Sequence, residues 1–195
     1  MRSFLTLLLV CSILSVRAQR PPLTAEQKAS LVFPAIKGFE EVGVLPVKDA
    51  DFTIDPKRKY NVLLDVTVWS ADSLAAMKIH PGLAEVGRQY NLHLYAGVPE
   101  RNVNMVAVFH GPALRAILNN EAYKRATKRE VNPNASLVDQ LQKAGIKLIA
   151  CGQALNRRGF EKKDLLPGVL LSVSAKTTSS YFQSLGYAVF LVNEE

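Results

Sequence analysis

From residue 60 onward, short apolar runs take turns with longer segments that carry one apolar face. Residues 60–69, 103–109, 146–150, 169–173 and 187–192 are rich in Val, Leu and Ile. They lack the strict alternation of a half-exposed strand, so each predicts a strand buried on both faces. Between them, Leu83, Val86, Tyr90 and Leu94 recur at helical spacing. Leu114, Ile117 and Leu118 give a second helix its apolar side, and Leu137, Val138 and Leu141 a third. Residues 177–185 predict a last helix, stopped by Gly186. The punctuation agrees. Asp72 and Ser73 can open a helix, and His80-Pro81-Gly82 interrupts it or starts a new one. Gly111-Pro112 and Asn132-Pro133 place a proline at a favourable first position, and Gly145 ends a helix.

Strands separated by helices predict an α/β fold with a five-stranded, mainly parallel sheet covered on both faces and joined by right-handed crossovers. In such sheets, sites form outside the carboxyl ends of the strands. Three segments meet that description: Ser70-Ala71-Asp72, His110-Gly111-Pro112 and Cys151-Gly152-Gln153.

The first 56 residues do not share this pattern. Arg2 followed by an apolar stretch over residues 5–14 and Val16-Arg17-Ala18 reads as a signal peptide cleaved after Ala18. That stretch is too short for a comfortable membrane span, and no later one is long and apolar enough. Cys11 falls inside the apolar stretch, and Val10 before it is a poor residue for lipoprotein cleavage. Residues 19–56 read as an N-terminal extension. Thr24 and Gln27 have capping-box spacing, and Pro34, Gly38, Gly43 and Pro46 break up the rest. The domain proper is then residues 57–195, and the reading places the mature chain in the periplasm or outside the cell.

Processing removes Arg2 and Arg17 and no acid, which leaves 22 basic residues against 17 acidic. The basic residues are scattered and few aromatics interleave with them, which argues for a solvated surface and against nucleic acid as a partner. Processing also leaves one cysteine, Cys151, so the mature chain can make no internal disulfide. In an exported protein such a thiol is either a buried, inert hydrophobe or an exposed group with a task. At the start of a helix, unpaired N–H groups favour a thiolate, the form that attacks sulfur and carries a persulfide. Without a second cysteine a dithiol oxidoreductase is not expected.

His110 ends the second strand as Cys151 ends the third. It could deprotonate the thiol or orient an acidic ligand, or simply be satisfied by backbone at a turn. No Asp or Glu is evident as a third member, which weakens a Cys–His hydrolase reading. His80, His93, His110 and Cys151 show no metal-ligand spacing, and no glycine-rich phosphate motif occurs, so no metal and no cofactor is expected. Asn119, Asn120, Asn132 and Asn134 read as cap and turn residues. The glycosylation pattern Asn134-Ala135-Ser136 falls at a helix start and reads as chance.

These residues resemble a known family. The run from Val106-Ala107-Val108-Phe109-His110-Gly111-Pro112 to Asn119, Tyr123 and Asn132-Pro133-Asn134 is similar to the DsrE/DsrF-like small sulfur-relay proteins. So are Cys151-Gly152-Gln153-Ala154 with Arg158-Gly159, Leu166-Pro167-Gly168-Val169, and Gln183 before Gly186-Tyr187. The resemblance spans about residues 60–192, and it points to the family's exported branch. It implies a flavodoxin-like three-layer α/β/α sandwich that assembles into trimers or hexamers. It implies that Cys151 matches the cysteine on which intracellular members carry sulfur as a persulfide. The implied function is a sulfur carrier, at most sulfurtransferase-like, with a donor or acceptor protein as partner. Gly111, Gly152, Gln153 and Asn120 would then assist Cys151 and His110 around one mouth. The alternative is a non-enzymatic module that binds a small ligand or a protein, with Cys151 only a wall residue. The chain departs from intracellular relays in its signal peptide and in the 19–56 extension.

Overall fold

A computed structural model of the chain describes residues 22–68 and 78–192. The signal-peptide reading, the end of the first strand at Trp69 and the segment Ser70-Ala71-Asp72 with its helix start lie outside the described residues.

Five strands form one sheet: β1 (Tyr60–Val66), β2 (Val103–Phe109), β3 (Lys147–Cys151), β4 (Leu170–Ser172) and β5 (Ala188–Val192). Their order is β4-β3-β2-β1-β5 and every pairing is parallel. The chain thus steps one way from β1 to β4 and then returns to the far edge for β5. Right-handed crossovers place the helices of the outward steps on one face and the helix of the return step on the other. Burial agrees. Val62, Leu64, Met105, Ala107, Phe109, Leu148 and Ala150 pack in one large core with α2 (Pro81–Tyr95) and α4 (Ala135–Lys143). The alternate residues Leu63, Val106, Val108, Ile149 and Cys151 pack in a smaller core with Ala175 and Phe182 of α6 (Ala175–Ser184). The architecture is the expected flavodoxin-like three-layer sandwich, with one face covered by several helices and the other by α6 among the described elements.

Local chemistry explains the boundaries. Thr24 and Gln27 form both bonds of a capping box on α1 (Ala25–Ala29). Pro81 sits in the first turn of α2 and starts it, with Leu83, Val86 and Tyr90 buried along one side. Gly145 closes α4 in a left-handed conformation, where its N–H and that of Ile146 reach back to Gln142 O and Leu141 O. The segment after β2 differs from expectation, because Gly111–Ile117 is a 3-10 helix rather than an α-helix. Leu114, Ile117 and Leu118 are nonetheless fully buried. The next helix, α3, begins at Asn120 and ends at Thr127, capped by Asn119, whose Oδ1 accepts from Ala122 N. The apolar run of β5 is not buried on both faces, and Phe190 and Leu191 are exposed. An edge strand has only one neighbour to cover it, and its composition alone does not reveal that place.

The 22–56 segment lies on α2. Val32 and Val44 form an antiparallel bridge, and Ile36, Val42 and Val44 are buried. Asn91 of α2 holds this strap. Its Oδ1 accepts from Ala35 N and Ile36 N at 3.1 and 3.0 Å, and its Nδ2 donates to Ile36 O and Val42 O at 2.9 and 3.0 Å. Among the described residues no helix is long and apolar enough to cross a membrane.

Candidate functional site

Cys151 is the last residue of β3 and the N-cap of α5 (Gly152–Arg157), as the spacing predicts. It is only 5% exposed, and its neighbours in the smaller core are Leu63, Val106, Val108, Ile149, Ala175 and Phe182. The residue after it must be glycine. A Cβ on Gly152 would stand 2.6 Å from the backbone oxygen of Ser172 and 3.2 Å from that of Val173. Gln153 N donates to that same Val173 oxygen, while the Gln153 side chain is exposed. The close passage of the β4 end thus fixes how the chain leaves Cys151.

His110 follows β2. The ladder pairs Phe109 with Ala150, so the next residues along, His110 and Cys151, are strand neighbours at one level, about 5 Å apart at the backbone. Both continue the residue parity of the smaller core (Val106, Val108 and Ile149), so both belong to the α6 face. Gly111 then turns the chain in a left-handed conformation, φ +55°, that L side chains rarely adopt.

A carboxylate stands beside this row on β1, on the same face and in register with Val108, two residues before His110. Asp65 of β1 places Oδ1 2.5 Å from His110 Nε2, and Ser179 Oγ of α6 donates to Asp65 Oδ2 at a long 3.4 Å. The two side chains are partly covered, Asp65 19% and His110 31% exposed. The third member that the sequence reading found missing is therefore present, on a strand 45 residues away. Its signal was one ionisable side chain in an otherwise apolar run, Val62-Leu63-Leu64-Asp65-Val66. A parallel register lines up the ends of β1, β2 and β3, which spacing along the chain does not show.

Asn120 is not part of this row. Its Oδ1 accepts from Asn132 N, in the layer that holds α3 and α4. Asn132 in turn donates to Ala116 O and Leu118 O and accepts from Asn134, while Asn134 Oδ1 accepts from His80 N at 2.7 Å. This buried network ties α2, the 3-10 segment and α4 together. It also buries Asn134 to 1% exposure, so the glycosylation pattern is closed off in the folded chain. His80 is buried beside it. Loss of solvent lowers its pKa from 6.5 to about 4, against the opposing pull of a hydrogen bond with the backbone of Val68. A further buried charge, Asp164, meets Arg125 at 2.6 Å and Glu161 N at 2.8 Å. Burial alone would raise that carboxyl, but these two partners outweigh it and hold it below its usual range.

Of the predicted assisting residues, Gly111, Gly152 and Gln153 therefore flank the His110–Cys151 row, and Asn120 lies in the other layer. A family model matches residues 69–191. The chain belongs to the DsrE/DsrF-like family. His110 and Cys151 fall inside the DsrE/DsrF-like match and Asp65 lies before it. No curated protein matches the chain. Among solved structures it is similar to a protein of unknown function, MTH1491, from Methanobacterium thermoautotrophicum. Identity is 17%, the TM-score is 0.50, and the match covers 68% of this chain and 99% of that one. That likeness speaks for a shared fold alone.

Proposed function

We propose that the mature chain is an exported carrier of sulfane sulfur, which it holds as a persulfide on Cys151 and passes to a partner thiol. Family membership supports a sulfur-handling role. One observation carries the choice of residue: Cys151 ends β3 next to His110, and His110 is hydrogen-bonded to a carboxylate on β1, the neighbouring strand on its other side. In this reading the Cys151 thiolate attacks the outer sulfur of a donor R–S–SH. A bond forms from Sγ to that sulfur, the donor's S–S bond breaks, and R–S⁻ leaves and takes up a proton. The acceptor thiol attacks the outer sulfur of Cys151–S–SH in the same way and restores Cys151, so no external oxidant is needed. The N-terminal segment supports the periplasm or the exterior as the compartment. Tyr181 and Leu185 of α6 and Leu191 of β5, exposed on the thinly covered side, support assembly into a trimer or hexamer.

The test is to incubate the protein with polysulfide and measure its intact mass. The expected result is an adduct of one sulfur atom that Cys151→Ser abolishes and dithiothreitol removes. No adduct, or one that survives the substitution, removes the carrier reading.

The burial of Cys151 favours a second reading, a non-enzymatic binding module whose wall includes this thiol. Slow labelling of native protein by iodoacetamide, with fast labelling after denaturation and no persulfide, selects the module.

A further inference from the structure

We infer that Asp65 is a positioning residue that holds the imidazole of His110 with its proton on Nε2 and so presents Nδ1 as an acid–base group to the thiol of Cys151. The inference takes its purpose from the carrier reading, but its geometry stands apart from it. An ionised carboxylate can only accept hydrogen bonds. With Asp65 Oδ1 at 2.5 Å, the proton between the two groups therefore belongs to Nε2, and a neutral ring then carries its lone pair on Nδ1. Asp65 is itself held from the α6 side by the Ser179 hydroxyl. The other neighbour of His110 in the sheet is Cys151, one residue past the Phe109–Ala150 pair and on the same face. Among the described residues, α6 brings no acid to this face, and its Lys176 is exposed. Among the described residues, Asp65 and Cys151 are thus the ionisable side chains that the flanking strands set beside His110 on this face.

With a persulfide R–S–SH as donor, the protons balance within the site. Nδ1 takes the proton of Cys151 as Sγ attacks, and returns it to R–S⁻ as the donor's S–S bond breaks. The sum is Cys151–SH with R–S–SH giving Cys151–S–SH and R–SH.

Two measurements on the full chain test the inference. Long-range ¹H–¹⁵N spectra read the tautomer of His110, and the alkylation rate of the peptide holding Cys151, followed against pH, reads the proton transfer. Wild type should show an Nε2–H tautomer. Asp65→Asn, whose amide can instead donate to Nε2, should move the proton to Nδ1. Alkylation near neutral pH should fall about tenfold in Asp65→Asn and His110→Gln alike and converge with wild type at high pH, where the thiolate forms unaided. Thermal melts confirm that the variants are folded. An Nδ1–H tautomer in wild type, or identical alkylation profiles in all folded variants, overturns the inference. If both readouts hold while polysulfide leaves no adduct, the carrier reading falls and the positioning role of Asp65 stands.

Discussion

His80 shows how one buried side chain sets a pH limit on the whole chain. In the unfolded chain it takes a proton as pH falls below 6.5, and in the fold only near 4. Between those values the unfolded state binds the extra proton, so stability falls as pH falls through this window. The full shift corresponds to about 3 kcal/mol, a large share of a typical domain's margin. Its contribution is complete above pH 6.5 and lost on the way to 4. Asp164, whose carboxyl is depressed, acts the same way in a lower window, below the usual carboxylate range. The expected outcome is a urea midpoint that drops between about pH 7.5 and about pH 4.5 in wild type and drops much less in His80→Leu. Parallel decline of the two proteins would place the titration elsewhere. None of this was legible in the sequence. His80 stood before Pro81 as a helix-start signal, and only the packing of Gly82 against Val66 and Val68 shows how tightly that turn is closed. Cys151 was legible to the residue, because strand, glycine and helix are local signals. Asp65 was not, because its partner is 45 residues distant.

At the scale of elements, the strands and helices were readable wherever apolar spacing decides them, and less so where an element's neighbours decide. The N-terminal strap is the clearest case. Thr24 and Gln27 signal the short helix that it has, and its prolines and glycines read as breaks in the rest, where regular structure is sparse. What orders it is one amide on another element. Asn91 uses both hydrogens and both lone-pair directions of its side chain on strap backbone, at zero exposure. Its neighbour Tyr90 carries the apolar signal of that helix turn, while an asparagine in the same turn carries none. Asn91→Leu leaves four backbone groups, three of them buried, without their partner, and even partial rescue by water leaves a loss of about 3 kcal/mol or more. Asn91→Asp keeps the two acceptor contacts and loses the two donated ones, so it should fall between. Chemical denaturation gives the order wild type, Asn91→Asp, Asn91→Leu. Limited proteolysis should cut the strap of Asn91→Leu while the sheet remains resistant. If Asn91→Leu matches wild type in both assays, the strap is held by its apolar contacts and not by the amide.

The whole molecule is an uneven sandwich, and the unevenness bears on function. The large core joins α2, α4 and the strap to one face, whereas α6 covers the other face through Ala175 and Phe182. Phe182 makes edge contacts with Tyr181 within α6, at 5.2 Å between ring centroids, and with Tyr187, at 4.9 Å, and the second contact holds α6 against the start of β5. The Asp65–His110–Cys151 row lies on that thinly covered face. An element with few buried apolar side chains opens locally at lower free energy than the global transition. Access to Cys151 should therefore be governed by α6 and not by global unfolding. Phe182→Ala removes the main anchor and costs about 3 kcal/mol if the site does not collapse. In that variant, native-state hydrogen exchange should speed up in α6 and β5 first, with α2 and α4 slower to respond. Iodoacetamide labelling of Cys151 should accelerate in step with α6 exchange, in conditions where the protein stays folded by circular dichroism. Labelling that tracks global unfolding in both proteins would mean that the thiol is sealed by the whole core. A carrier must expose its sulfur to a partner many times without unfolding, so the coupling of Cys151 access to one helix is what separates the carrier from a wall residue.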